Sequence, residues 1–142
     1  MKLFISENID KNLQGYTIVP IIYGEIDISN IPNNSATSIV AIDALDSIKY
    51  DNIIEFLRLV ISKMRLGCVL HLGGIDAYAI SRELLNGAKS IEEFNKELCS
   101  NNGVYSSKFI SDILHGNKLK IKSIVYKGNR YEISATRSEN QY

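Results

Sequence analysis

The residues best suited to chemistry in this chain are carboxylates that follow predicted strands. Asp43 and Asp46 come directly after residues 37–42, a nearly continuous apolar run that is typical of a central strand, and Glu7 follows the apolar run 2–5. Side chains at the carboxyl ends of strands contact ligands in open α/β sheets. Asp43 is therefore a candidate general base, although the simpler interpretation, which we favour, is that it caps the turn before the next helix.

Other candidates carry weaker signals. Asp27 lies in the alternating segment 25–28, a predicted strand, where it either contacts an adenine or ribose edge or is an exposed strand acid. An enzyme based on Glu7, Asp43 and Asp46 would need all three in one pocket, which the sequence does not establish. The two cysteines and two histidines have no metal-ligand or nucleophile spacing, so we predict no metal site.

Periodicity predicts the elements that position these groups. Predicted strands cover residues 2–5, 16–19, 25–28, 37–42 and 68–72, the last ended by Gly73 and Gly74. Predicted helices cover 53–64 with Asp51 as cap, 76–85, 90–98, and a segment from Ser106 or Ser107 to Gly116. Residues 118–126 and 130–135 predict an antiparallel hairpin that turns at Gly128.

Strands that alternate with helices indicate a mostly parallel sheet with helices packed on it. The C-terminal hairpin adds an antiparallel strand to that sheet. We therefore predict an α/β fold in a single domain over residues 1–142, with residues 136–142 frayed.

Several segments together resemble a known family. They read RLGCVLHL at 65–72, GGIDAYAISRELLNG at 73–87 and IEEFNKEL at 91–98, preceded by IPNNSA at 31–36 and AIDALDSI at 41–48. This order is similar to that of small class I S-adenosylmethionine-dependent methyltransferases, of the type found near polysaccharide genes. The resemblance implies a Rossmann-like methyltransferase fold. By position, it also implies that the cofactor would contact Ser6, Glu7, Asp27, Ile28 and Asp43.

The chain departs from the family where that cofactor would bind. The turn after the first strand, residues 5–12, has no glycine, although the backbone there must approach the ligand closely. Glu7 adds a carboxylate beside the expected place of the cofactor's own carboxylate. Pro20 follows the second strand where the family has an acid, and DALDS at 43–47 replaces the family pattern His-x-Leu-Glu-His. We expect S-adenosylmethionine binding to be weak or absent.

Composition limits the remaining function classes. The 142 residues include 16 basic and 16 acidic side chains, which argues against broad binding to nucleic acid or to a membrane. Lys118, Lys120 and Lys122 form a basic strand face that we interpret as solvated. The cysteine content favours a cytoplasmic setting. We expect a binding or assembly module, as a homodimer or a subunit of a larger complex. The alternative is an active methyltransferase for a small molecule or sugar.

Overall fold

The computed structural model of the chain describes residues 1–8 and 10–138. Its strands are β1 (Lys2–Ser6), β2 (Thr17–Pro20), β3 (Ala36–Ala41), β4 (Met64–Ile75), β5 (Leu119–Lys127) and β6 (Arg130–Arg137). Its α-helices are α1 (Ile53–Lys63), α2 (Ala77–Leu85), α3 (Ile91–Ser100) and α4 (Ser107–Gly116). Two short 3-10 helices, Leu45–Ser47 and Tyr50–Asn52, lie between β3 and α1. No helix in the described part of the chain is long and apolar enough to cross a membrane.

The six strands form one sheet in the order β2-β1-β3-β4-β6-β5. The first four strands are parallel, and β6 runs antiparallel to both β4 and β5. The predicted mostly parallel α/β sheet with an antiparallel hairpin is confirmed. The connections from β1 and from β3 leave in opposite directions along the sheet. The gap between the carboxyl ends of β1 and β3 is therefore the switch point, where open α/β sheets bind ligands.

One face of the sheet, the inner face, carries the core. On this face, Ile39 of β3 is opposite Leu70 of β4, and Ile133 of β6 is opposite Leu72, the next residue of β4 on the same face. Ile39, Leu70 and Ile133 are each fully buried. They belong to one cluster with apolar side chains of α1 and α4, because the three- and four-residue spacing of those helices presents an apolar stripe. The cluster includes Leu57, Val60, Ile61, Ile110 and Leu114.

The opposite face, which we term the outer face, is less covered. Its central row runs through Phe4, Val40, His71 and Ser134, which are paired across β1, β3, β4 and β6. The last three are half-buried, whereas their neighbours on the inner face are fully buried. Right-handed crossovers place the β1-to-β2 connection on the outer face, and its described residues contain no helix. The described residues of this connection therefore give the outer face no helical layer like the one that α1 gives the inner face.

The predicted strand at 25–28 is wrong. The chain makes a tight turn instead, in which Ile22 and Glu25 pair and the intervening Tyr23 and Gly24 have φ of 52° and 76°. The apolar residue Ile28 then points into the core from a loop and is 1% exposed. Alternating apolar residues here reflect a buried loop rather than a strand.

Three predicted boundaries also need correction. Gly73 does not end its strand, because β4 continues to Ile75. A Cβ on Gly73 would lie 2.3 Å from the carbonyl oxygen of Ile42, so the glycine allows the close approach of the two strands. The strand predicted at 68–72 also begins earlier, because α1 ends at Lys63 and β4 starts at Met64, so Gly67 lies inside β4. Asp51 does not cap α1, because it belongs to the 3-10 helix before it.

The end of the chain is more ordered than predicted up to Arg137. Thr136 and Arg137 lie in β6 and are buried, and Arg137 Nη1 donates to Asn34 Oδ1 at 2.6 Å and to the carbonyl of Met64. These bonds fix the strand end against the start of β4. The rest of the predicted frayed segment, residues 139–142, lies outside the described residues.

Candidate functional site

A cavity of about 290 Å³ opens at the switch point between β1 and β3. Its lining comes from the chain that follows each strand and from the segment after α3. The lining residues are Glu7, Asn8, Asp43, Asp46, Ser47 and Asn101. The structure thus brings Glu7, Asp43 and Asp46 into one pocket, which the sequence did not establish. Ser6 lies beside them at the end of β1.

Asp43 links the ends of the two strands. Its Oδ2 accepts hydrogen bonds from Ser6 Oγ at 3.2 Å and from Lys11 Nζ at 2.9 Å. Ser6 is fully buried, and its Oγ also accepts from the Asn8 amide at 3.1 Å. Asp43 Oδ1 is buried and has no hydrogen-bond partner among the described residues. The carboxylate is therefore held in place by the β1 turn, and only one of its oxygens is free.

Glu7 makes a second link across the same gap. Ser47 Oγ donates a hydrogen bond to Glu7 Oε2, and Ser47 is 4% exposed. Ser47 ends the 3-10 helix Leu45–Ser47, so this bond joins the β1 turn to the first turn after β3. Both ends of the switch point are therefore joined by side-chain hydrogen bonds within the chain.

Asp46 anchors the neighbouring strands rather than facing a ligand. Its Oδ1 accepts from the Ile75 amide at 2.9 Å, and its Oδ2 accepts from Arg130 Nη1 at 2.9 Å. Its backbone oxygen accepts from the amides of Asn102 at 2.9 Å and Gly103 at 3.2 Å. Because both side-chain oxygens are occupied, Asp46 has a structural role in joining β4, β6 and the segment after α3.

Tyr131 lies close to this junction and was missed by the sequence reasoning. Its hydroxyl is buried and has no hydrogen-bond partner among the described residues. Burial, and to a smaller extent the Asp46 carboxylate, raise the pKa of the Tyr131 hydroxyl. The alternation Arg130-Tyr131-Glu132-Ile133 could have shown that Tyr131 shares the inner face with Ile133, but not which carboxylate it meets.

Two of the predicted cofactor contacts lie elsewhere. Asp27 is exposed and lines a different cavity, with Pro20 and Tyr23. Hydrogen bonds from Ser29, first from its hydroxyl at 2.7 Å and then from its amide at 3.1 Å, lower the pKa of Asp27. Ile28 is buried in the core. Of the predicted set, Ser6, Glu7 and Asp43 come together, and Asp27 and Ile28 do not join them.

The remaining titratable candidates have structural surroundings. His71 Nδ1 is 2.9 Å from Ser134 Oγ, in the central row of the outer face. Burial raises the pKa of the Cys68 thiol to about 11, so this thiol stays protonated at neutral pH. Within residues 1–8 and 10–138, no group of three or more His, Cys, Asp and Glu side chains is arranged to hold a metal ion.

Several solved methyltransferase structures are similar to this fold. A S-adenosylmethionine-dependent methyltransferase from Archaeoglobus fulgidus matches with a TM-score of 0.64 and 9% identity, over 95% of this chain and 85% of its own. An O-methyltransferase family protein from Burkholderia thailandensis matches with a TM-score of 0.61 and 12% identity, over 89% and 37%. A S-adenosylmethionine-dependent methyltransferase from Thermotoga maritima matches with a TM-score of 0.57 and 12% identity, over 87% and 65%.

The chain has the class I S-adenosylmethionine-dependent methyltransferase fold. It spans only about a third to two thirds of the length of the last two of these neighbours. No protein-family model and no curated protein matches its sequence. Because identities near 10% establish the fold alone, the relation to the polysaccharide-cluster type and the affinity for the cofactor stay predictions.

Proposed function

We propose that this methyltransferase-fold protein binds S-adenosylmethionine weakly or not at all and acts as a binding or assembly module. One observation carries the proposal: Asp43 accepts hydrogen bonds from both Ser6 and Lys11 across the switch point. These side chains occupy the gap between the strand ends, where a ligand would otherwise contact backbone. A ligand that enters this gap must replace those bonds, and their cost adds to the effects of the β1 turn and of the β2 end.

The chain after β1 supports the same proposal. Phosphate and nucleotide sites in such folds use a glycine turn that leads into a helix N-terminus, whose free amides bind the ligand. The described residues of the segment 7–16 form no helix, and the Asn8 amide donates instead to Ser6 Oγ. The turn therefore uses a donor internally that a ligand would need.

The end of β2 also lacks a group for the ribose. The segment after Val19 reads Pro20-Ile21, and neither side chain can accept a hydrogen bond. The Ile21 amide donates to the backbone oxygen of Ser6 at 2.9 Å, so it is occupied as well. Loss of a hydrogen bond to a charged group costs about 1.5–3 kcal/mol, and this loss would weaken binding of the cofactor by at least tenfold.

A second candidate function has one specific observation in its favour. Glu7, Asp43 and Asp46 line a single cavity, as an enzyme that uses carboxylates as acid and base requires. Glu7 and Asp46 are engaged by Ser47 and Arg130, however, and only Asp43 Oδ1 lacks a partner. The assembly role needs none of these carboxylates to be free, and we favour it for this reason.

Isothermal titration of the whole chain with S-adenosylmethionine, and separately with S-adenosylhomocysteine, tests the proposal. We expect no saturable heat up to about 1 mM ligand, and a micromolar Kd would overturn the proposal in favour of an active methyltransferase for a small molecule or sugar.

A matched pair of variants tests the role of charge in the same titration. Glu7→Gln removes a carboxylate from the switch-point cavity, where it would repel the carboxylate of the cofactor. Glu25→Gln removes a carboxylate that lines two other cavities, near β2 and α1. We expect Glu7→Gln to bind S-adenosylmethionine more tightly than the wild type does, and Glu25→Gln to bind it no more tightly than the wild type. An equal gain in both variants would contradict a local electrostatic cause.

A further inference from the structure

We infer that the outer face of the sheet is the surface through which this chain pairs with a second copy of itself. The inference deepens the proposed assembly role and rests on it. Mainly parallel sheets occur almost only with both faces covered, since their strands are apolar on both sides. Here α1 and α4 cover the inner face, and the crossover that reaches the outer face is a short segment without a described helix.

The outer face has the composition of an interface. Val40 and Val69 are half-buried, and Ile18, Ile42 and Val125 are 37%, 38% and 44% exposed. These apolar side chains extend across the sheet from β2 to β5. Apolar side chains interspersed with polar groups are typical of a non-obligate protein contact surface.

Four polar side chains of the outer face are already paired within the chain. Tyr16 and Ser38 hydroxyls are 2.9 Å apart, and His71 Nδ1 is 2.9 Å from Ser134 Oγ. Because these groups keep their partners when water is removed, covering the face carries a small desolvation cost.

The positions of two charged residues on the outer face favour a second copy of this chain as the binding partner. Lys120 is opposite Thr136 in the row that contains Val69, at the amino end of the parallel strands. Glu132 is opposite Gly73, toward their carboxyl end. A two-fold axis in the plane of the interface and perpendicular to the strands exchanges these two ends. It therefore places Lys120 of each copy against Glu132 of the other, while the central row, which contains Val40, His71 and Ser134, lies against its symmetric copy.

The size of the face and the net charge allow this pairing. Six strands about 4.8 Å apart, with about six residues each rising about 3.3 Å, give a face of roughly 500 Å², part of which is already covered at Phe4 and Thr136. Two copies therefore bury at most roughly 1,000 Å², the lower limit for a specific interface. The formal net charge of zero adds no general repulsion between copies. We therefore expect a reversible dimer that dissociates on dilution.

Charge reversal tests the arrangement by sedimentation velocity at low salt over a range of concentrations. Lys120→Glu and Glu132→Lys each place like charges at both symmetric contacts, so each variant alone should dimerise at least tenfold more weakly than the wild type. An equimolar mixture of the two variants restores opposite charges at both contacts. We expect the mixture to dimerise as the wild type does.

A control and a folding check keep the test specific. Lys108→Glu reverses a lysine on α4, which packs on the inner face, and should leave dimerisation unchanged. Glu132 meets Lys127 only at 3.8 Å and at an exposed position, so Glu132→Lys should retain the wild-type circular dichroism spectrum and urea midpoint.

Three outcomes overturn the inference. They are a wild type that stays monomeric up to about 1 mM, a dimer that neither reversal weakens, and a mixture that fails to recover. Cofactor titration of the same samples separates the two proposals. A dimer that binds S-adenosylmethionine at micromolar Kd overturns the proposed function alone, whereas a monomer that does not bind it overturns the outer-face interface alone.

Discussion

Two crossovers leave the switch point of this sheet, and they differ in almost every respect. The first, residues 7–16 between β1 and β2, has no helix in its described residues, and Leu13 within it is 38% exposed. The second, residues 42–63 between β3 and β4, contains two 3-10 helices and α1. Its Leu57 is fully buried in the core.

The difference shows that strand order and helical cover are separable in this sheet. Parallel pairing of β1 with β2 needs only a connection long enough to return, and hydrogen bonds of the ladder hold it. A helix is needed to cover a face and to present free amides to a ligand. With no helix among the described residues of the first crossover, the sheet stays intact, the outer face stays half exposed, and side chains bridge the switch point beside the cavity.

The largest expected effect comes from truncating one leucine in each crossover. Leu57→Ala leaves a cavity in the core and should lower the free energy of unfolding by about 2–5 kcal/mol. Leu13→Ala removes a partly exposed side chain and should cost less than about 1 kcal/mol. Urea denaturation followed by circular dichroism measures both. Equal losses would show that the first crossover is packed as well as the second.

The helix of the second crossover could be predicted from sequence, and so could the turn-like character of the first, but not the path that the first crossover takes. Leu57, Val60 and Ile61 recur at helical spacing, so the pattern itself requires a helix. Segment 7–16 is polar and lacks any such period. This composition predicts a turn, which the described residues confirm, but a polar segment has no apolar stripe that would show where it packs.

The site was predictable in part for a related reason. Asp43 and Glu7 follow strands, and strand ends meet at a switch point, so their approach follows from topology. The partners of Asp46 come from Ile75 and Arg130, which are 29 and 84 residues away. Contacts at such separation depend on the register of β4 with β6, which local patterns do not specify.

Asp46 should give the next largest effect, because it anchors the start of the second crossover. Asp46→Ala leaves the Ile75 amide without its acceptor and Arg130 without its ion pair, and should cost about 2–3 kcal/mol. Asp46→Asn keeps an acceptor for the amide and should cost about 1 kcal/mol. Thermal unfolding of the two variants measures the difference. Equal costs would contradict the role assigned to the Ile75 amide.

Tyr105 ties the second crossover to the chain after α3, since its hydroxyl donates to the carbonyl of Ile48. Burial raises the pKa of Tyr105 to about 12, against about 10 in the unfolded chain. Its contribution to stability is therefore complete below pH 10, where both states are protonated. As the pH rises from 10 to 12, the unfolded chain releases the proton and the folded chain keeps it, so stability falls by about 2 kcal/mol.

Urea midpoints between pH 9 and pH 12 measure this contribution. Tyr105→Phe should remove that part of the decline and should cost about 1 kcal/mol at neutral pH for the lost hydrogen bond. Tyr23→Phe is the matched control, because the Tyr23 side chain is fully exposed and should leave the profile unchanged. If Tyr105→Phe also keeps the wild-type decline, the tie to Ile48 does not control it.

The smallest effect concerns the ion pair that joins the two crossovers. The Lys11 and Asp43 side chains are 52% and 24% exposed, so water and salt screen their 2.9 Å contact. A double-mutant cycle with Lys11→Met and Asp43→Asn should give a coupling energy below about 1 kcal/mol that shrinks in 1 M salt. The coupling energy of the exposed Lys108 and Asp112 pair on α4 should be similar. A coupling above about 2 kcal/mol would mean that the first crossover is fixed as firmly as the second. The Lys11–Asp43 contact across the switch point would then be strong enough to oppose ligand binding by itself, without the repulsion from Glu7 and the missing acceptor at Pro20.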